Sequence, residues 1–320
     1  VRALVTGGNG FVGRHLVAEL QARGYETFVA GTGALEPGET AFELTDLASV
    51  RAVVDRVRPE IVFHLAAHAS VADAARAPLE TYAANVTGTA HVIEAIRTSD
   101  TPARLLFVSS AEVYGARSPA EMPLRETALP APATIYAASK LAAEAIVLAS
   151  VHTYGLRAIV VRPFNLIGPG QSDRFAVGAF AHRLARIAAG GPPLFPVGNL
   201  TAQRDFLDVR DAVRAFADLA ERGTDGETYN LCSGVPKGVA ELLRQLVFAA
   251  RIGVEIREDP ALMRPVDMPI AYGDNAKLRA ATGWEPRLPL SRTLQDTYAA
   301  ALALQEVSRV AASNETSHGG

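Results

Sequence analysis

The stretch Arg2-Ala-Leu-Val-Thr-Gly7-Gly-Asn9-Gly10-Phe11-Val12-Gly13-Arg-His-Leu16 decides the fold. An apolar run, Ala3 to Val5, ends in Thr6-Gly7, and an amphipathic segment, Phe11 to Leu20, follows directly. Strand, tight turn and helix in that order are the context a dinucleotide fingerprint needs. Gly7 makes the turn, Gly10 lets backbone approach a pyrophosphate, and Gly13 lets helix and strand pack closely. The helix start offers N–H groups and a positive dipole end to phosphate.

Working outward, apolar runs alternate with helical patterns. Strands are expected at Arg2–Thr6, Thr27–Ala30, Ile61–Leu65, Leu105–Ser109 and Ala158–Arg162, and helices near Val50–Val57, Leu79–Arg97 and Ile135–Tyr154. Such alternation predicts an α/β fold, a Rossmann-type doubly wound parallel sheet covered on both faces. Ligands on such a sheet sit at the carboxyl ends of the strands, where Gly7, Ala66, Ser110 and Pro163 fall. After Asn165 the texture changes: Ile167-Gly-Pro-Gly-Gln-Ser and Gly190-Gly-Pro-Pro are strong breakers. Helices at Phe175–Ala189 and Gly238–Arg251, and a helix N-capped by Asp208, complete the second half. The expected division is a dinucleotide-binding domain over 1–165, with 205–230 returning to it, and a smaller substrate lobe from 166–204 and 231–308. The polar residues 309–320 read as a disordered tail.

Tyr136-Ala-Ala-Ser-Lys140 puts a phenol and an ammonium four residues apart, on one face of a helix. A free tyrosine titrates near ~10, and lowering it by roughly three units takes about 4 kcal/mol. One positive charge at about 4 Å supplies about that much at an effective dielectric near 20. The spacing gives a sufficient reason for an acid–base tyrosine, although alone it also suits an exposed amphipathic helix.

Composition sets bounds. The 31 basic and 34 acidic side chains nearly balance, which gives no sign of a nucleic-acid or membrane surface. No apolar run is read as reaching the ~20 residues of a membrane span, and no signal-peptide pattern opens the chain, so a cytoplasmic protein is expected. The single Cys232 excludes an internal disulfide and a cysteine-cluster metal site; it reads as a small buried residue, and no metal is expected.

The spacing Gly7-x-x-Gly10-x-x-Gly13, Ser109-Ser110-Ala-Glu112-Val-Tyr114-Gly115 and Tyr136-x-x-x-Lys140 together resemble the extended short-chain dehydrogenase/reductase superfamily. Phe63-His-Leu-Ala-Ala67, Asn85-Val-Thr-Gly-Thr89 and Arg162-Pro-Phe-Asn165 follow in the expected order, so the resemblance spans nearly the whole chain. Phe164-Asn-Leu-Ile-Gly-Pro-Gly-Gln171, Gly198-Asn-Leu-Thr-Ala-Gln-Arg204-Asp-Phe, Tyr229-Asn-Leu-Cys-Ser-Gly and Arg264-Pro-Val-Asp-Met-Pro look most like the GDP-4-keto-6-deoxy-D-mannose reductase and GDP-mannose 4,6-dehydratase group.

The resemblance implies a catalytic set of Ser110, Tyr136 and Lys140, with Tyr136 handling the substrate proton and Lys140 holding the nicotinamide ribose. It implies cofactor contacts from Gly7, Asn9, Gly10, Phe11, Val12, Gly13, Thr32, Glu43, Leu44, Leu65, Ala66, Ala67, Asn85 and Pro163. Substrate contacts would come from His68, Ser110, Glu112, Asn165, Arg204 and Arg264, the two arginines on the pyrophosphate. The helical segments Tyr82–Ile96 and Ile135–Tyr154 would pair across a two-fold axis into a four-helix homodimer interface.

Departures leave alternatives open. Val29-Ala-Gly-Thr32-Gly33 carries neither the acid of NAD-preferring members nor the base of NADP-preferring ones, so either cofactor is admitted. Glu43 either accepts the adenine amino group or is a solvated carboxylate. Glu112 is a base, as in the dehydratases, or a carboxylate that organises the pocket; the second is favoured, since Ala111 cannot donate a proton to a departing hydroxyl. The leading expectation is an NAD(P)H-dependent reductase of a GDP- or dTDP-linked 4-keto-6-deoxyhexose. A 4,6-dehydratase or 4-epimerase is the rival, and a non-enzymatic dinucleotide sensor the outsider.

Overall fold

The computed structural model describes residues 1–32, 40–263 and 268–317. Among these, the first sheet has seven strands, all pairing in parallel: β1 (Arg2–Thr6), β2 (Glu26–Gly31), β3 (Thr40–Ala41), β4 (Ile61–His64), β5 (Arg104–Val108), β6 (Ala158–Pro163) and, from the second half, Thr228–Leu231. Their order across the sheet, from β3 through β2, β1, β4, β5 and β6 to Thr228–Leu231, reverses beside β1, where a Rossmann sheet binds its ligand. Ala3, Leu4 and Val5 are buried on both faces, which is why the strand reads as an unbroken apolar run.

Helix α1 (Phe11–Ala22) covers one face with Leu16 and Leu20, against Val213 and Phe216. Helix α2 (Leu47–Val57) covers the other and is N-capped by Asp46, whose Oδ1 accepts from the Ala48 N–H at 2.9 Å. The short helices α3 (Val71–Arg76) and α4 (Pro78–Tyr82) lead into the segment expected as one helix over 79–97. The helical expectation holds, with one added feature: a widened π turn at Ala83–Thr87 joins α4 to α5 (Gly88–Thr98) without a break in the helical backbone. Within that turn the Asn85 side chain points inward, accepting from the His68 N–H at 2.8 Å and donating to the His68 carbonyl at 3.2 Å.

Helix α6 (Ile135–Tyr154) has the expected bounds, set by Thr134, which accepts from the Ala137 N–H at 3.1 Å, and by Gly155 at φ 67°. By length and composition it is apolar enough to cross a membrane, which corrects the reading that no run is. Its Tyr136, Ser139, Lys140 and Glu144 are buried, and Lys140 and Glu144 bond to groups of β5 and β6, so it packs as a core helix.

The second lobe is built around β7 (Asn165–Ile167), β8 (Leu194–Val197) and β9 (Gln203–Asp208), with helix α7 (Ala176–Ala188). The chain then returns to the first sheet through α8 (Val209–Arg222), packed on α1, and β10 (Thr228–Leu231) beside β6. Asp208 caps α8, its Oδ1 accepting from the Arg210 N–H at 2.8 Å. Strands β11 (Pro236–Gly238), β12 (Glu255–Glu258) and β13 (Ile270–Ala271), and helix α9 (Val239–Ala250), complete the lobe around Phe195, Leu184 and Leu242.

Two boundaries differ from expectation. Helix α10 (Ala276–Thr282) and Trp284 join the core of the first sheet, not the lobe; the Trp284 indole donates to the Asp211 carbonyl at 2.9 Å. The last helix, α11 (Leu290–Ser317), runs into the tail expected to be disordered. From Leu290 to Ser317 the sequence has neither glycine nor proline to stop it.

Candidate active site

The turn after β1 is shaped by what cannot be there. Gly7 has φ 72°, and a Cβ on it would stand 2.9 Å from the Ala66 nitrogen. A Cβ on Gly13 would stand 2.2 Å from the Gly7 carbonyl oxygen. Gly10 caps α1 with no side-chain hydrogen bond, so the first-turn N–H groups remain available to an anion. This cradle fits a pyrophosphate. Phe11 and Val12 are half-buried on the first turn of α1, and Leu65, Ala66 and Ala67 are half-buried after β4. Pro163 is buried at the end of β6.

Beneath the cradle runs a buried chain of hydrogen bonds. The Thr89 hydroxyl donates to the Asn85 carbonyl at 2.7 Å, so toward His64 it accepts, and the His64 Nε2–H donates at 3.1 Å. His64 Nδ1 then accepts from the Thr6 hydroxyl at 2.7 Å, which itself accepts from the Ala66 N–H. Burial pushes the His64 pKa down to about 3, so the ring is a neutral link. Asn85 continues the chain, donating to Ser139 Oγ at 2.9 Å and accepting from the His68 N–H at 2.8 Å. The His68 side chain is exposed.

The catalytic candidates converge at the end of β5 and on α6. Ser110 is buried and accepts from the Glu112 N–H at 3.2 Å, so it caps a turn as well as facing the phenol. The Tyr136 pKa is pushed up to about 12: burial raises it most, the Ser110 hydrogen bond pulls it down, and the Glu112 carboxylate pushes it up. Lys140 is drawn elsewhere. Its Nζ donates to the Val108 carbonyl at 2.7 Å and lies 4.9 Å over the Phe107 ring. Burial lowers its pKa to about 8, with Glu144 acting in the opposite direction. The expectation that Lys140 lowers the tyrosine is therefore corrected: desolvation dominates at the phenol, the lowering influence comes from the Ser110 hydrogen bond, and Tyr136 stays a protonated acid.

Other expected contacts are more dispersed. Glu43 is exposed, and its carboxylate, held below its ordinary pKa, accepts from the Thr45 hydroxyl at 2.7 Å and N–H at 3.0 Å. Leu44 is buried, its carbonyl bonded to His91. At Gly31, the end of β2, a Cβ would lie 2.5 Å from Asn9 Oδ1. The Asn9 amide donates to the Thr32 carbonyl at 2.8 Å, while the Thr32 side chain is exposed. Asn165 Nδ2 donates to the Asp205 carbonyl at 2.8 Å, which joins β7 to β9 beside Arg204. Arg204 is half-buried, with Nη1 on the Met268 carbonyl at 2.7 Å. Arg264 lies outside the described residues.

Sequence reading missed Thr6, His64, Thr89, Ser139 and Glu144 as parts of the site. Only Glu144 had a local signal: it extends the stripe Tyr136, Lys140 by one more helical turn.

Residues 3–232 match the NAD dependent epimerase/dehydratase family. The chain belongs to that family. It is accordingly an NAD(P)-dependent enzyme with the Rossmann-type sheet and C-terminal lobe of that family. The GDP-6-deoxy-D-mannose reductase of Pseudomonas aeruginosa is 37% identical over 295 residues, covering 92% of this chain and 95% of its own. The solved structure of RMD from Pseudomonas aeruginosa complexed with NADPH superposes with a TM-score of 0.86 at 35% identity, covering 95% of this chain and 99% of that one. The UDP-glucose 4-epimerase of Thermus thermophilus, solved with NAD, gives 0.84 at 30% identity, covering 94% and 99%.

Proposed function

We propose that the chain is a reductase of a nucleotide-linked 4-keto-6-deoxyhexose, similar to GDP-6-deoxy-D-mannose reductase and using NADPH or NADH. The observation that carries this reading is the buried Tyr136 beside Ser110, held protonated with a pKa near 12. Ketone reduction needs a proton donor when the carbonyl oxygen becomes an alkoxide, and a phenol is a far stronger acid than the alcohol it would form. The family's cofactor, when bound, supplies the hydride. Ser110 orients the carbonyl oxygen, Tyr136 gives it a proton, and Lys140 holds the ribose. Gly7, Gly10 and Gly13 seat the cofactor pyrophosphate; Asn165, Arg204 and Arg264 hold the sugar nucleotide.

Glu112 is the observation that favours a second reading, a 4,6-dehydratase or 4-epimerase. Its carboxylate raises the Tyr136 pKa, which puts a candidate base on the same side of the cleft as the phenol. The test is product analysis by NMR with GDP- and dTDP-linked 4-keto-6-deoxyhexoses and each reduced cofactor. A new carbon-4 hydroxyl with stoichiometric cofactor oxidation is expected. Sugar conversion without net cofactor consumption would sink the reductase reading.

The proposed assembly is a homodimer through α5 and α6. Ile93 and Ile96 turn into the monomer's own core, while Val86, Ala90, Leu141 and Leu148 are half-buried and Ala145 is exposed. Light scattering at micromolar concentration should give twice the chain mass; a clean monomer would refute it.

A further inference from the structure

Behind the residues that face the cleft stands a buried ionic cluster. Glu144 is 1% exposed, Arg162 5% and Ser109 2%. Arg162 donates from Nε to Glu144 Oε1 at 3.0 Å and from Nη2 to Oε2 at 2.6 Å, a two-bond fork. The Ser109 hydroxyl donates to the same Oε1. The remaining guanidinium nitrogen, Nη1, is buried with no hydrogen-bond partner, and the guanidinium carbon lies 4.9 Å over the Tyr114 ring.

A buried ion pair is weak evidence for stability, because desolvation often cancels the attraction and apolar replacement is frequently neutral. What the cluster accomplishes is geometric. Tyr136, Lys140 and Glu144 follow one another at single-turn intervals on the buried face of α6. Ser109 directly precedes Ser110, and Arg162 lies on β6, paired to β5. One carboxylate therefore ties the catalytic helix to two strand ends at once.

We propose that Glu144 is a positioning residue for the reaction: shared between Arg162 and Ser109, it fixes the Tyr136/Lys140 face of α6 against Ser110 and sets a negative charge one turn behind the Lys140 ammonium. The titratable groups around that ammonium are Tyr136 and Glu144 on its own helix, His64 on β4 and, behind Glu144, Arg162 on β6. β5 supplies the Val108 carbonyl and the Phe107 ring. Burial lowers the Lys140 pKa while Glu144 raises it, so losing the carboxylate should deprotonate Lys140 at lower pH. The inference rests on Tyr136 and Lys140 being the working pair.

The test replaces the pair together, Glu144→Gln with Arg162→Met, so that no charge is left buried alone. The variant should melt as a folded protein. Its kcat should fall at least ~10-fold, toward the range of a mispositioned acid, with the sugar-nucleotide KM within about threefold. The alkaline midpoint of NADPH binding, followed by fluorescence titration without substrate, should move down by about one pH unit. Glu144→Asp, which keeps the charge, should restore that midpoint. A folded double variant with unchanged kcat and unchanged midpoint would overturn the proposal, since a merely structural pair predicts that outcome. Should the double variant not fold, Ser109→Ala decides: kcat about threefold or more below the parent supports positioning, and an unchanged kcat overturns it. Tyr136→Phe, run alongside, separates the two failures. If it keeps full activity the site reading itself has failed; if it is inactive while the other variants are unaffected, only this inference has.

Discussion

The turn at Gly7–Gly13 and the face of α6 both serve one cleft, but they are built by opposite means. The turn works by excluding side chains, and its backbone atoms lie so close that a single methyl group collides with them. The helix works by burying Tyr136, Lys140 and Glu144; desolvation is the largest influence on the phenol and on the ammonium, and Glu144 acts against it at Lys140. The first should respond to mutation as a steric switch, the second by degrees.

The largest effect is expected at Gly13. A Cβ there meets the Gly7 carbonyl at 2.2 Å and Gly8 Cα at 2.6 Å, both backbone atoms that cannot yield without opening the turn. Gly13→Val should abolish measurable NADPH binding, a loss beyond ~100-fold, and lower the melting temperature by several degrees through a clash of about 1–3 kcal/mol. Near-normal titration of NADPH into this variant would break the comparison at its steric end.

Tyr136→Phe comes next. It removes one hydroxyl and leaves the packing, so turnover should fall at least ~100-fold while cofactor affinity stays within about threefold. Half-normal turnover would show that the proton comes from elsewhere.

Much of this division was legible in the sequence, and the reason it was is physical. The central strands of the first sheet are buried on both faces, so Ala3-Leu4-Val5 or Val160-Val161 read as apolar runs whatever surrounds them. The glycines declare themselves because backbone approach needs them. In the second lobe the strands Asn165–Ile167, Pro236–Gly238 and Ile270–Ala271 are two or three residues long, too short to show any period. The Thr6–His64–Thr89 relay was hidden because its partners lie 58 and 25 residues apart, and an isolated histidine in an apolar strand gives no sign of them. The pKa of Tyr136 was misjudged for a related reason: spacing reports that Lys140 shares its face, but neither that the phenol is buried nor that a carbonyl of β5 claims the ammonium.

Titration sharpens the electrostatic end. Lys140 has its pKa lowered to about 8 from an ordinary 10.5, so the folded chain binds fewer protons than the unfolded one between those values. Stability is therefore highest above the ordinary value and declines as pH falls toward about 8. Function runs the other way. The charged ammonium is needed for the ribose, so NADPH binding should weaken as pH rises through about 8, and Lys140→Met should remove that dependence and weaken binding throughout. A flat binding profile from pH 7 to 9.5 in the parent protein would contradict it.

The smallest expected effect separates the two enzyme readings. Glu112 is exposed, and its N–H is held by Ser110, so Glu112→Gln keeps the turn and removes only a charge. That charge raises the Tyr136 pKa, and neutralising it should leave the phenol a slightly stronger acid. In a reductase no carbon-bound proton has to be abstracted, so turnover should stay within about fivefold of the parent, well short of the ~100-fold or more that a lost general base costs. A dehydratase needs a base for the proton at carbon-5 and should be nearly silenced. Incorporation of deuterium at carbon-5 from deuterated water, present in the parent and lost in Glu112→Gln, would transfer the base to Glu112 and overturn reduction as the reaction.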